Sequence, residues 1–267
     1  MKTTHPSRIT KTLPRGFTLV ELLVVIVIIA TLASIAFFVG KRAINSANQA
    51  TAMSNMKQLS NLVQLFATDH NSILVNVNKT EIDGQTRLWA EHLLVVLSPD
   101  LAQDSNYSKS PGDALGRSVG TFGDPKALKQ AKGVLADSGH NSWRTFGYNN
   151  RIGSYVPETP GLPGFGTGAK TTNQVTTPDK LILFAQAKLI GNAYPFNAQP
   201  GDVKNNRIDF TLHDGKSLVG FFDGHVELFG KKNYPSNDGT DPVTGVTYTP
   251  TKLNEFWLGN ATPYPSP

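Results

Sequence analysis

Between Phe17 and Val39 the chain runs for 23 residues with a single charged side chain, Glu21, and no other segment restricts the possible folds as strongly. As a helix rising 1.5 Å per residue this run is roughly 35 Å long, enough to cross a hydrocarbon layer of about 30 Å with some tilt. Its β-branched stretch, Val24 to Ile29, has strand propensity. Hydrocarbon, however, offers no partner to a backbone N–H or C=O, so the segment must satisfy its own groups and is expected to be helical. A secretory signal does not account for it. Such an apolar core runs about 7–15 residues to a small-residue cleavage site, whereas this one continues past Ala33 and Ala36 into Phe37, Phe38 and Val39. A plain membrane anchor does not account for Glu21, because an acid near the centre of a spanning helix costs about 2.5–3.5 kcal/mol, less toward an end. Something must offset that cost.

The charge is concentrated beside this run. Residues 1–16 carry Lys2, Arg8, Lys11 and Arg15 and no acid; of the 25 Lys and Arg, 21 remain beyond residue 16 against 20 Asp and Glu. The net charge of +5 therefore belongs mostly to the leader. Nucleic-acid recognition needs basic side chains clustered on a working face, so no nucleic-acid partner is expected. Loops rich in Lys and Arg stay cytoplasmic, which keeps residues 1–16 inside and sends the C-terminus across the membrane. Lys41 and Arg42 on the far side weaken that bias. The chain has no cysteine, which excludes a disulfide scaffold, a thiolate zinc site and a cysteine nucleophile.

Beyond Lys41 the apolar positions Met56, Leu59, Val63 and Phe66 recur at steps of three and four. That spacing puts them on one helical face and extends the helix to about residue 70. Ile73, Val75 and Val77 alternate as a strand does, and Leu88 to Leu97 reads as a helix. Residues 104–142 and Gly147 to Lys170 are rich in loop-forming residues. Leu181 to Ala185 reads as a strand. In residues 207–230 three short runs are separated by Asp214-Gly215 and Asp223-Gly224, a strong hairpin cue that predicts a β-meander. The expected fold class is α+β: a long N-terminal helix, spanning a membrane in its first half, packed in its second on an antiparallel sheet. The expected divisions are a leader at 1–16, a spanning helix at 17–40, its amphipathic continuation at 41–70 and a globular head at 71–267.

Chemistry-bearing clusters are few. His213, Asp214, Asp223 and His225 have metal-binding side chains, but in a meander the two Asp-Gly turns lie at opposite ends of one strand, roughly 15–20 Å apart, so the four cannot share an ion. The late loop offers Asn237, Asp238 and Asp241 as hard oxygen ligands beside glycines, the donor set for calcium. Apart from calcium there, no cofactor is expected. The string Gly164 to Lys170 lacks the spacing of a phosphate loop. With no HExxH, no G-x-S-x-G and no convincing pair of acids, no enzymatic activity is expected.

Gly16, Phe17, Thr18, Leu19, Val20, Glu21 followed by the apolar run resembles the signature of type IV prepilins and type II secretion pseudopilins. The resemblance covers residues 1 to about 40. It implies cleavage between Gly16 and Phe17 by a prepilin peptidase that also N-methylates Phe17. The new ammonium and the helix N-terminus would then both favour the Glu21 carboxylate, which in that family meets the amino terminus of a neighbouring subunit during assembly. The implied partners are the peptidase/methyltransferase, other pilin or pseudopilin subunits and the inner-membrane assembly machinery. The implied location is the inner membrane, single-pass, with the head periplasmic, and then the filament. Major pseudopilins also resemble this chain in an acidic C-terminal loop that binds calcium. A second resemblance lies in His213, nine residues and then Asp223-Gly224, similar to the H-X9-DG element of prepilin-type processing-associated domains, together with Phe146-Gly147-Tyr148-Asn149. Here only Gly215 follows the histidine closely, where that family has several glycines. The expected function is a structural filament subunit; the alternative is a membrane-anchored protein whose head recognises a glycan or other cell-envelope ligand.

Overall fold

The computed structural model describes residues 16–76, 80–82, 85–99, 120–131, 144–153, 170–190, 197–198, 207–235 and 250–260. The chain divides into two units, Met1–Ser46 and Ala47–Pro267. One helix, α1 (Leu19–Asp69), contributes to both. In the first unit the β-branched run is helical, as the need for internal hydrogen bonding requires. Two hydroxyls are satisfied on the helix itself: Thr31 Oγ1 donates to the carbonyls of Val27 (3.0 Å) and Ile28 (2.8 Å), and Ser34 Oγ to that of Thr31 (2.8 Å). The apolar side chains from Phe17 to Val39 are exposed on the protein's own surface. Among the described residues α1 is the one helix long and apolar enough to cross a bilayer.

In the second unit α1 changes character, and Ala52, Met56, Leu59, Val63, Phe66 and Ala67 are buried at helical spacing. The sheet they face has the order β5-β3-β4-β6-β7, with β3 Phe146–Asn149, β4 Ile182–Gln186, β5 Asn197–Ala198, β6 Lys216–Phe221 and β7 Val226–Gly230. β3, β4, β6 and β7 pair antiparallel, and β5 adds a short parallel edge on β3. A separate two-stranded ribbon joins β1 (Thr80–Ile82) to β2 (Gln85–Arg87). Three shorter α-helices, α2 (Trp89–Leu97), α3 (Pro125–Ala131) and α4 (Pro250–Leu258), accompany them, with short 3-10 helices at Thr172–Gln174 and Lys231–Asn233.

Strand alternation divides the core in two. Leu183, Phe184, Leu218, Phe146 and Tyr148 pack with α1 and α2, including Trp89. Ile182, Ala185, Val219 and Phe221 pack with Tyr234 and with Phe256 and Trp257 of α4. A register shift between Ile182 and Phe184 is why two successive residues of β4 reach the same core. Gly220 lets α1 approach closely, since a Cβ there would lie 2.7 Å from Met56 Cγ. The α+β, pilin-like expectation thus holds, with one addition: α4 covers the second face of the sheet.

Local expectations fare unevenly. The helix at Leu88 to Leu97 and the strand at Leu181 to Ala185 are present as α2 and β4. Of the Ile73, Val75, Val77 strand, only an isolated bridge from Ile73 to Thr171 forms, and Val77 lies outside the described residues. Gly147, read as loop, sits inside β3. The β-meander is a single hairpin, β6–β7, because the other neighbour of β6 is β4. The first run bends away: Asp209 Oδ1 accepts from Thr211 N and Oγ1, both at 2.7 Å, and Ile208 only bridges to Ala187.

Candidate functional site

The first site is the start of α1. Gly16 and Phe17 lie before the helix, and both are exposed, so the peptide between them is outside regular hydrogen bonding. Thr18 caps the helix reciprocally with Glu21. The Thr18 backbone N–H and Oγ1 donate to Glu21 Oε2 at 2.9 and 2.8 Å, and the Glu21 N–H donates to Thr18 Oγ1 at 3.2 Å. This capping box satisfies donors that an uncapped helix would leave open. It places the one acid of the apolar run where the chain itself supplies donors to it. The T-x-x-E spacing of Thr18 and Glu21 is the sequence signature of such a box.

Residues 14–37 match the prokaryotic N-terminal methylation motif. The chain therefore carries a prepilin-type N-terminal segment, which includes Gly16, Phe17 and Glu21. No curated protein and no solved structure matches the chain. The matched residues contain the start of α1 and most of its apolar run, the long apolar helix that such a segment requires.

The second site is built around β6. His213 precedes it, and the nine residues up to Asp223 are the turn Asp214-Gly215, the six residues of β6 and Phe222. The turn takes positive φ at both positions, 52° and 81°, which glycine tolerates freely and aspartate better than most residues. His213 Nε2 donates to Asp124 Oδ2 at 2.6 Å, with both side chains fully buried. Asp124 Oδ1 meanwhile accepts from the N–H groups of Lys126 (2.7 Å) and Ala127 (3.4 Å), capping α3. At the far end Gly224, φ 90°, sits against Asn61 of α1, and Gln64 Nε2 donates to the Phe222 carbonyl. His213 thus ties one end of β6 to α3, while Phe222 and Gly224 set the other end against α1. The structure does not bring His213 together with Asp223 or His225; the partner of His213 is Asp124, 89 positions away, which nothing in the sequence marked.

Asp223 and His225 form a pair of their own. His225 Nδ1 lies 2.5 Å from Asp223 Oδ1, its ring stacks on Phe221 at 4.1 Å and 6°, and Nε2 lies 3.8 Å from Glu227 Oε1. The group opens on a cleft of about 330 Å³ between the β6–β7 hairpin and α4. The calcium candidates Asn237, Asp238 and Asp241 lie outside the described residues, as does most of the Gly164 to Lys170 string. Deep in the sheet, burial pulls the Arg144 guanidinium down to about 10 against the opposing pull of Glu91, and pushes the Tyr148 phenol above its ordinary value.

Proposed function

We propose that this chain is a structural subunit of a type IV pilus-like or type II secretion pseudopilus filament. Prepilin peptidase cuts it between Gly16 and Phe17 and methylates the new N-terminus at Phe17. Other subunits and the inner-membrane assembly machinery are its partners, and its head lies on the periplasmic side. The observation that carries the reading is the match of residues 14–37 to the N-terminal methylation motif, within which an apolar helix begins whose side chains are unburied in the protein itself. In a filament those side chains pack against neighbouring helices, and cohesion follows from apolar contact area. Glu21 then meets the methylated ammonium, so two charges that hydrocarbon penalises singly are paired.

Intact mass of the membrane-extracted protein tests this. Loss of residues 1–16 with gain of one methyl group, about 14 Da, supports it. A protein that keeps Met1, in cells that trim other prepilins, refutes it.

A further inference from the structure

We propose that Lys41 and Arg42, at the end of the apolar run of α1, form an anchor for lipid phosphate groups and set the depth of the helix in the bilayer. The proposal rests on the reading of α1 as a membrane-spanning helix and concerns the first unit alone. α1 is unbroken from Leu19 to Asp69. Between those of Glu21 and Asp69 it carries no acidic side chain, and Lys41 and Arg42 are the first charges after Glu21. Both are exposed, and among the described residues neither takes part in a salt bridge. The Arg42 guanidinium instead lies over the Phe38 ring, 4.5 Å from its centroid. The ring face attracts the charge and leaves the five N–H donors of the guanidinium for an acceptor outside the chain. An ammonium beside a guanidinium at the edge of hydrocarbon complements phosphate oxygens, which Lys meets as a point charge and Arg with two parallel N–H groups.

The depth follows from the spacing. The twenty residues from Glu21 to Lys41 rise about 30 Å, the thickness of the hydrocarbon layer. A tilt near 20° shortens that by only about 2 Å. With Lys41 and Arg42 at the phosphates of the leaflet opposite the leader, Glu21 lies at the other boundary of the hydrocarbon. There an acid is penalised far less than at the centre. Nothing between them competes, because Thr31 and Ser34 keep their hydroxyls on the helix itself. A slide toward the leader draws two cations into hydrocarbon, and a slide the other way draws in Glu21. The register is thus held from both ends. Removal of residues 1–16 would take four cations from the leader's side and leave this pair as the chief basic contact with the membrane.

The chain has no cysteine, so one spin label can be placed at Ala30→Cys or Ala43→Cys in the full-length protein and its depth read from relaxation by oxygen and by a nickel chelate. In phosphatidylcholine vesicles the Ala30→Cys label should lie deep and the Ala43→Cys label outside the hydrocarbon. Adding Lys41→Gln with Arg42→Gln should move the second label inward by about 3–5 Å, up to one helical turn, because the same slide carries Glu21 toward water. Lys41→Arg with Arg42→Lys should keep the original depth. The unsubstituted pair in vesicles of digalactosyl diacylglycerol, which has no phosphate, should behave as the glutamine variant does. An unmoved Ala43→Cys label in the glutamine variant, or equal depths in the two lipids, overturns the anchor while a deep Ala30→Cys label leaves the spanning helix intact. An Ala30→Cys label open to the nickel chelate removes the spanning helix, and the anchor with it.

Discussion

Replacing His213 by alanine tests what the first residue of the His213–Asp223-Gly224 element contributes. The side chain is fully buried and makes a 2.6 Å bond to an equally buried carboxylate. Its removal leaves Asp124 Oδ2 desolvated, with a cavity the size of an imidazole where its donor stood. Breaking a buried pair by deleting one partner costs about 3–5 kcal/mol, a large share of the 5–15 kcal/mol that holds a typical domain together. Asp124→Asn keeps the volume and an oxygen for the α3 cap at Lys126 and Ala127, so it should cost less, about 1–3 kcal/mol. The two residues share one bond, so the double variant should be less destabilised than the sum of the singles by at least about 1.5 kcal/mol. Urea unfolding of the full chain in detergent, followed by the fluorescence of the buried Trp89 and Trp257, measures all three. Additivity within about 0.5 kcal/mol, or a His213→Ala cost below 1 kcal/mol, would refute a clamping role for the pair.

Other perturbations probe separate parts of the molecule. Gly220→Ala should destabilise by about 1–3 kcal/mol, because the new methyl meets Met56 Cγ at 2.7 Å; adding Met56→Ala should recover part of the loss in the same urea assay, and no recovery would mean the clash is elsewhere. Tyr148→Phe should be near neutral at pH 7, since the buried hydroxyl has no hydrogen-bond partner among the described residues. Because burial raises the Tyr148 phenol, the folded state holds that proton longer than the unfolded one. The stability this represents is fully present below the unfolded value of about 10 and is lost as pH rises above it. The Arg144 guanidinium, lowered to about 10, acts in the opposite sense over the same range, so the comparison with Tyr148→Phe isolates the phenol: the variant should gain on the wild type above pH 10, and parallel curves would contradict it. Glu21→Gln retains an oxygen for the Thr18 donors and removes the charge, so membrane insertion should persist while filament yield falls. Equal yields of fibre from both proteins would remove the charge from the assembly step.

What the sequence displayed was whatever depended on short-range pattern. The steps Met56, Leu59, Val63, Phe66 disclosed the buried face of α1, because helical burial repeats within a few residues. Gly16 to Glu21 and the run after them were legible for the same reason. The mistaken meander shows the converse: Asp214-Gly215 does make a tight turn, but which strand lies beside β6 is decided by pairing with β4 across more than thirty residues, and a turn dipeptide carries no information about that. The Asp124–His213 bond is more remote still. α4 was different, since its start at Pro250 and the Gly259 that follows it with φ 76° are ordinary helix boundary signals. It carries the second core, where Phe256 and Trp257 cover β4 and β6.

The polar groups in apolar settings follow one rule in both units of the chain, and it explains the spacing of the residues that stand out in the sequence. Glu21 is tolerable beside the apolar run because Thr18, three residues earlier, turns two donors onto it. Asp124 is tolerable in the core because it accepts from two helical N–H groups and from His213. Asn149 donates at 2.9 Å to the carbonyls of both Ile182 and Trp257, joining β3 to the start of β4 and to the end of α4. An unpaired buried polar group costs more than a made hydrogen bond returns, so each of these side chains permits few positions for its partner. The interval from His213 to Asp223 is then set by mechanics: a two-residue turn, a six-residue strand and one residue beyond it. Lengthening that interval by one residue would turn every side chain of β6 to the opposite face, setting Leu218 against α4 and Val219 against α1. Neither core would fit, and the clamp at one end would have to open to accommodate the other.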